Sequence, residues 1–514
     1  MARTPYILAH DLGTTGSKIS LFSAGSGVPA ASVVHAYPTR YPHPNWAEQD
    51  PADWAAALFE GTRAVLEKSG VAPSSIAVVS FSGHMQGLLP LDADGEPLRP
   101  AMIWADQRAQ EQAKRIEEAV GRARVYEITG ERVSPAYTAA KLLWVRDHLP
   151  ELYARIRSVL HCKDYVAYLL TGRIGTDFSD ASGTQMYDIV RRKWSAEILD
   201  ALGLDAGILP EPLPSSTVIG GVTPQAARRS GLVAGTPVVI GGGDGACATV
   251  GAGSVREGQA YTYIGSSGWA ALTLRQPLLD REQRTFNMAH LDPELVFALG
   301  AIQAAGGAFE WMAGLLHGDT EARFGLMDCE AADVPAGSRG LLFLPHLLGE
   351  RSPYWNPAAR GALVGLSLAH GRHEVTRATM EGVALLLRQI VDIFRAQGAA
   401  IAQMRMIGGG ARSVLWRQIM ADVYDMPIDC PALSTEATAL GAAIAGGVGV
   451  GLYPDYEVAL QLAPTVAEVP VDDRRAAEYE ALLPLFTESY RALSPVFEKL
   501  VERQRVRDAN SPTD

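Results

Sequence analysis

Two aspartates carry the first chemical signal. Asp11 ends the run Ile7-Leu8-Ala9-His10, and Asp244 ends Val238-Val239-Ile240-Gly241-Gly242-Gly243. Each is a carboxylate at the end of a strand candidate and beside glycines, where it cannot hide comfortably in a core. An aspartate in such a place often serves a turn or caps a helix, but the triple glycine before Asp244 weakens that reading. Phosphoryl transfer asks little covalent help of a protein; it needs a metal to neutralise phosphate charge and a base to accept a hydroxyl proton. Two carboxylates facing one cleft could divide those tasks.

Glycine-rich turns supply the second signal. Asp11-Leu12-Gly13-Thr14-Thr15-Gly16 recurs weakly as Tyr263-Ile264-Gly265-Ser266-Ser267-Gly268. Glycines let backbone come close to a ligand, and successive N–H groups with Thr or Ser hydroxyls can converge on anionic oxygens. Either copy alone would serve as a hairpin turn; two copies favour a phosphate chain. A third run, Gly408-Gly409-Gly410-Ala411-Arg412, follows a strand candidate and precedes a helix that Ser413 can cap, with Leu415, Ile419 and Val423 as apolar positions. Such a run admits a ribose or phosphate, or simply makes a close strand-to-helix turn. No Walker A spacing is present, and no GxGxxG follows the first strand, so P-loop and Rossmann readings are poor.

The elements that must hold these residues read as α/β. Strand candidates Tyr6–Ala9, Ile76–Ser80, Val238–Ile240 and Met404–Ile407 alternate with longer helical patterns, and active sites in open α/β sheets gather at strand ends. Glu374–Phe394 places Val383, Leu386, Leu387, Ile390 and Phe394 at helical spacing, a buried amphipathic helix without chemistry. The Pro- and Gly-rich stretch from Leu209 to Gly235 and a fresh strand series from Gln259 put a lobe boundary near residue 250. The expected domains are 1–250 and 251–507, with a frayed tail at 508–514.

A chain of 514 residues exceeds one core, and 47% hydrophobic with 20% charged residues is an ordinary globular balance. With 57 acidic against 45 basic residues, the net charge of −12 disfavours nucleic acid and anionic membranes. Four scattered cysteines without a CxxC pair suggest neither zinc nor disulfides and point to a reducing cytoplasm. No signal peptide or membrane-spanning run is expected.

The ordered motifs resemble the FGGY carbohydrate kinases, and within them the xylulokinases, from about residue 6 to 500. They are DLGTTG at Asp11, HPNWAEQDPADW from His43, SGHMQG from Ser82, WADQR from Trp104, KLLWV from Lys141, GGGDGA from Gly241, GSSG from Gly265, PHLLGERSP from Pro345, GLSLAH near Gly365, GGGARS from Gly408 and TALGAA from Thr438. The resemblance implies a two-lobed actin-like, ribonuclease-H-like fold with a central cleft, ATP and Mg2+, and a small open-chain sugar as acceptor. D-xylulose, phosphorylated to D-xylulose 5-phosphate, leads; another ketose or a polyol such as erythritol, or a non-catalytic sugar or nucleotide sensor, is the alternative. A homodimer is compatible with it.

Carried over residue by residue, Asp244 matches the catalytic base, with Asp11 and Asp244 toward the metal. Met85 and Gln86 match the sugar-binding pair, while Trp104, Asp106 and Arg108 form a neighbouring sugar-pocket segment. Gly13, Thr14, Thr15, Gly265, Ser266 and Ser267 match the phosphate turns, and Gly409, Gly410 and Ala411 the adenosine motif. The chain departs from the xylulokinase pattern where GQMHG becomes Gly83-His84-Met85-Gln86-Gly87. The expected sugar-binding His is thus Gln86, and the imidazole moves to His84. A second departure puts Gly245 where Asn usually follows the catalytic Asp. The Arg-Glu pair of the glycerol kinases is absent near the first of these loops.

Overall fold

The computed structural model describes residues 5–510. The chain divides into two compact units: Met1–Glu257 with Thr273–Ala298 and Glu436–Pro464, and Gly258–Leu272 with Leu299–Thr435 and Thr465–Asp514. Segments remote in sequence therefore return to each unit.

The first unit is built on a seven-stranded sheet containing β1 (Tyr6–Leu12), β2 (Gly16–Ser23), β3 (Pro29–Ala36), β4 (Ile76–Gly83), β5 (Val218–Gly221) and β6 (Pro237–Val239) in the order β5-β6-β4-β1-β2-β3. β1 and β2 form an antiparallel hairpin, β1 runs parallel to β4, and β4 runs parallel to β6. The run Ile7-Leu8-Ala9 is wholly buried, as expected of a strand covered on both faces. The helix Pro51–Ser69 packs on β2 and β3. Its N-cap Asp50 accepts from Ala52 N, proline opens it, and Gly70 closes it in the left-handed region. Trp54, Leu58, Val65 and Leu66 form its buried stripe.

Helix Ala437–Gly449 lies against β1 and β4, and crosses helix Asp244–Gly251. That crossing is close because two glycines meet opposing carbonyls. A methyl group on Gly441 would fall 1.9 Å from the Cys247 oxygen, and one on Gly251 would fall 1.7 Å from the Ala437 oxygen. The TALGAA run is thus a packing device beneath the helix that Asp244 opens.

In the second unit, β7 (Ala260–Ile264), β8 (Gly268–Leu274), β9 (Met404–Ile407), β10 (Ile428–Pro431) and β11 (Thr465–Val469) follow the order β8-β7-β9-β10-β11. β7 and β8 make an antiparallel hairpin, and β7 runs parallel to β9. This repeats β1, β2 and β4: a hairpin whose first strand also pairs with a later parallel strand. The weak internal repeat in the sequence marks the same turn in the same topological place. Helix Arg372–Ala396 buries Val383, Leu386, Leu387, Ile390 and Phe394, the stripe its periodicity predicts.

Helix Asp473–Asn510 runs into the first residues of the tail expected to fray; residues 511–514 lie outside the described ones. All four cysteines are free, and among the described residues no helix is long and apolar enough to cross a membrane.

Gly441→Ala is expected to lower unfolding free energy by about 3 kcal/mol, the upper end of overpacking costs, because the helices can separate only by opening the core. Urea denaturation of the variant measures it; an unchanged midpoint would show that the crossing tolerates a methyl group.

Candidate functional site

Backbone register brings the two aspartates together. Asp11 pairs with Ser82 across β1 and β4, and on the other side of β4 a two-residue strand pairs Gly242 with Ser82 and Gly243 with Gly83. Asp11, Ser82 and Gly242 thus form one row across three parallel strands, and Asp244 follows two residues later as the first residue of its helix. The carboxylates stand at the same end of the sheet. Each preceding glycine has its own steric cause. Gly241 has φ +70°, and a methyl group there would lie 2.0 Å from the Phe81 oxygen. On Gly242 it would meet Leu291 at 2.2 Å, and on Gly243 the Met85 side chain at 2.5 Å.

Asp244 is half-buried, with Oδ1 accepting from Gly245 N at 2.8 Å and the positive end of its helix behind it. The peptide before it is anchored: Gly243 N donates to Ser179 Oγ at 2.8 Å, and Ser179 Oγ donates to Asp177 Oδ2 at 2.5 Å. Burial raises the pKa of Asp11, against the lowering influence of Ser82 and Lys18. Lys18 itself pairs with Glu436 at 2.5 Å.

The two turns share one construction. In the first, Tyr37 Oη donates to the Gly13 oxygen at 2.8 Å, Gln49 Nε2 and Thr39 Oγ1 donate to the Thr14 oxygen at 2.7 and 3.1 Å, and Tyr37 N donates to the Thr15 oxygen at 3.2 Å. Each carbonyl faces the protein. In a trans peptide the next residue's N–H points the opposite way, so the N–H groups of Thr14 and Thr15 face outward. In the second turn, Gly306 N donates to the Gly265 oxygen at 2.7 Å, Ala305 N and Gly307 N both donate to the Ser266 oxygen at 2.9 Å, and Gly265 N donates to the Ser267 oxygen at 2.9 Å. The N–H groups of Ser266 and Ser267 are directed outward by the same geometry. A methyl group on Gly306 would lie 2.5 Å from the Gly265 oxygen. Tyr37, Thr39, Gln49, Gly306 and Gly307 are supports that sequence reasoning missed. Only Gln49, inside the HPNWAEQDPADW segment, carried any signal.

The segment after β4 splits its residues between roles. Met85 is buried beside the Gly243 peptide, while Gln86 is half-buried with φ +66°. His84 lies in the core: its Nε2 is 3.1 Å from Gln49 Oε1, its ring stands edge-on to Trp54, and burial, then Lys141, pushes its pKa down to about 4. The displaced imidazole is therefore a neutral packing group.

Trp104 donates from Nε1 to Thr14 Oγ1 at 3.0 Å, fastening the first turn. Asp106, expected beside the sugar, is fully enclosed. Its carboxylate accepts from Ala47 N at 2.7 Å, from Arg108 N at 3.1 Å, and from the Arg108 guanidinium at 2.6 Å. Arg108 also binds Glu48 at 2.6 Å and stacks on Trp46, 3.5 Å from the ring centre. A carboxylate sealed in this way braces the loop that carries Trp104.

Of the third glycine run, Gly408 has φ +90° with the Ile264 oxygen 2.5 Å from where a methyl group would sit, and Gly410 abuts the Ile264 side chain. Gly409 is exposed, and a methyl group placed on it would come no closer than 3.9 Å to any neighbouring heavy atom; Ala411 is buried. Ser413 caps helix Val414–Tyr424 by accepting from Trp416 N at 3.0 Å. Elsewhere, His161, Asp164 and Asp180 have potential metal-ligand atoms within 4.8 Å of one another. Lys163 Nζ, 2.5 Å from Asp164 and 3.1 Å from Asp180, already supplies a cation there.

The model of the FGGY family of carbohydrate kinases, N-terminal domain, matches residues 6–251, and that of the C-terminal domain matches residues 260–450. The chain is 34% identical to the xylulose kinase of Escherichia coli (strain K12), covering 95% of this chain and 99% of that protein. It is 32% identical to the xylulose kinase of Bacillus subtilis (strain 168), covering 94% and 96%. The solved gluconate kinase from Lactobacillus acidophilus superposes with a TM-score of 0.90 at 28% identity, covering 96% of this chain and 99% of that one.

Gly409→Val should raise the KM for ATP by about tenfold, roughly 1.4 kcal/mol of binding, while leaving the thermal midpoint and the KM for sugar in place, since its side chain would enter space the protein leaves open. Gly265→Val is a poor substitute, because its added carbon would lie 2.2 Å from Tyr263 Oη. An unchanged ATP requirement in folded Gly409→Val would make the run purely structural.

Proposed function

Because the chain belongs to the FGGY family of carbohydrate kinases, and ATP is therefore its phosphoryl donor, we propose that it phosphorylates D-xylulose to D-xylulose 5-phosphate with Asp244 as general base. The observation that carries the reading is the placement of Asp244: a half-buried carboxylate at the start of a helix, seated by an anchored peptide against Met85 and at the same sheet end as Asp11. Likeness to relatives named xylulose kinase supports the choice of sugar. Lys141, which holds the Gln86 carbonyl, spends all three donors on backbone carbonyls and keeps none for a carboxylate, which supports a neutral acceptor over a sugar acid.

In the proposed mechanism Met85 and Gln86 hold the ketose with its terminal hydroxyl in reach of Asp244. Asp244 removes the proton as that oxygen attacks the γ-phosphorus in line, and the bond to the ADP oxygen breaks. The outward N–H groups at Thr14 and Thr15, and those at Ser266 and Ser267, suit phosphate oxygens whose charge grows in the transition state. Asp11 and Asp244 fit a divalent cation, being hard oxygen donors at one sheet end, with Lys18 paired to Glu436 rather than to Asp11. Bound there, Mg2+ would neutralise phosphate charge.

Two tests follow. Asp244→Asn keeps the shape but cannot take the proton, so kcat should fall by about 10²- to 10⁴-fold with ATP binding retained by calorimetry; near-native turnover removes Asp244 from the chemistry. An ADP-release assay across ketoses, polyols and sugar acids should rank D-xylulose first, and Gln86→Ala should lower kcat/KM for it by about tenfold or more, as loss of a paired hydroxyl contact does. A native preference for a sugar acid would overturn the proposed acceptor.

A further inference from the structure

Lys141 opens the KLLWV run, which the chemistry above leaves without a task. It lies in helix Thr138–His148 and is fully buried. Its Nζ donates to the Ala136 oxygen at 2.5 Å, the Ile103 oxygen at 2.7 Å and the Gln86 oxygen at 2.8 Å. An ammonium has three N–H donors, so all are spent on backbone. The acceptors come from three separate segments. Gln86 belongs to the proposed sugar-binding pair, Ile103 immediately precedes Trp104, and Ala136 lies in the loop before the helix. Gln86 also has φ +66°, uncommon for a residue with a side chain, and the bond to its carbonyl fixes that peptide.

We propose that Lys141 is a positioning residue for sugar specificity, stapling the Gln86 and Ile103 peptides together so that Met85, Gln86 and Trp104 hold one fixed arrangement toward the acceptor. The proposal rests on the reading that Met85 and Gln86 bind sugar. Lys141 touches no substrate; it acts through the carbonyls it holds. A hydroxyl could not replace it, having a single donor for three acceptors.

The surroundings make this staple sensitive to proton loss. Burial pushes the Lys141 pKa down to about 7, with Asp106 pulling it up and Arg108 pushing it down. The other titratable groups around it are His84 and His161, held neutral by burial with pKa values of about 4 and about 3. They keep one state while Lys141 changes. A neutral amine has two N–H groups and a lone pair, so above its pKa one carbonyl must be released and the Gln86 or Ile103 peptide loosens.

The test is steady-state kinetics of the full chain with its best acceptor from the panel, between about pH 6 and about pH 9, a window bracketing a lysine pKa near neutrality. For the native protein the sugar KM should rise by about tenfold with increasing pH, comparable to one lost hydrogen bond, while the ATP KM stays flat. Lys141→Arg, which stays charged, should flatten that rise, and Lys141→Met should show the raised sugar KM at every pH. Gln86→Ala serves as the control for the underlying reading. If Gln86→Ala raises the sugar KM but the native profile is flat, or folded Lys141→Met binds sugar as the native protein does, the proposal is overturned and the sugar reading stands. If Gln86→Ala changes nothing, the sugar reading falls and the proposal with it. Should Lys141→Met fail to fold, the native and Lys141→Arg profiles decide.

Discussion

Asp244 stands at the same sheet end as Asp11 because the three residues before it carry no side chains. The peptide at Gly241 turns under the Phe81 carbonyl, Gly242 slides past Leu291 and Ser179, and Gly243 carries the Met85 thioether on its backbone. With that approach allowed, Gly242 and Gly243 pair with β4 as a short parallel strand, and register fixes where the carboxylate emerges. A Cβ at any of the three would push this strand away, and Asp244 with it. Beneath the helix that follows, Gly441 and Gly251 repeat the device at helix–helix scale.

Around this close-packed centre the protein buries charge. Lys163 sits among Asp164, Asp177 and Asp180, and Arg108 is clamped between Asp106 and Glu48. Buried ion pairs add little net stability, since desolvation consumes most of the attraction. Breaking one is expensive, because the surviving partner is left in low dielectric, and that asymmetry makes these groups good rivets. Asp177 reaches Gly243 through Ser179, and Asp106 holds the loop that carries Trp104 to Thr14. The first chain of bonds ends on the peptide before Asp244, and the second on the Thr14 hydroxyl of the first glycine turn. The outward-facing turn amides have the same origin, since each follows from a carbonyl captured on the protein side.

Much of this was legible in the residues. The glycine runs, their repetition, the apolar stretches that end in aspartate and the 3.6-residue stripe of Arg372–Ala396 are local patterns, and local sterics and periodicity impose them wherever the chain folds. They identified four of the strands, both glycine turns, the Ser413 cap and the two carboxylates at strand ends. The tertiary structure alone decided what desolvation and long-range contact control. Asp106 belongs to the WADQR segment, and only the folded chain shows Ala47 and Arg108 enclosing it. His84 stands where the family pattern has Gln, and only the fold shows it packed against Trp54 and Gln49. Within one run of three glycines, Gly408 and Gly410 are consumed by packing on Ile264 and only Gly409 stays open. Tyr37 and Gln49 reach the first turn from 24 and 35 residues away. Spacing along a chain reports which side a residue faces within its own element; it carries no information about which distant carbonyl, carboxylate or ring will take that side out of water.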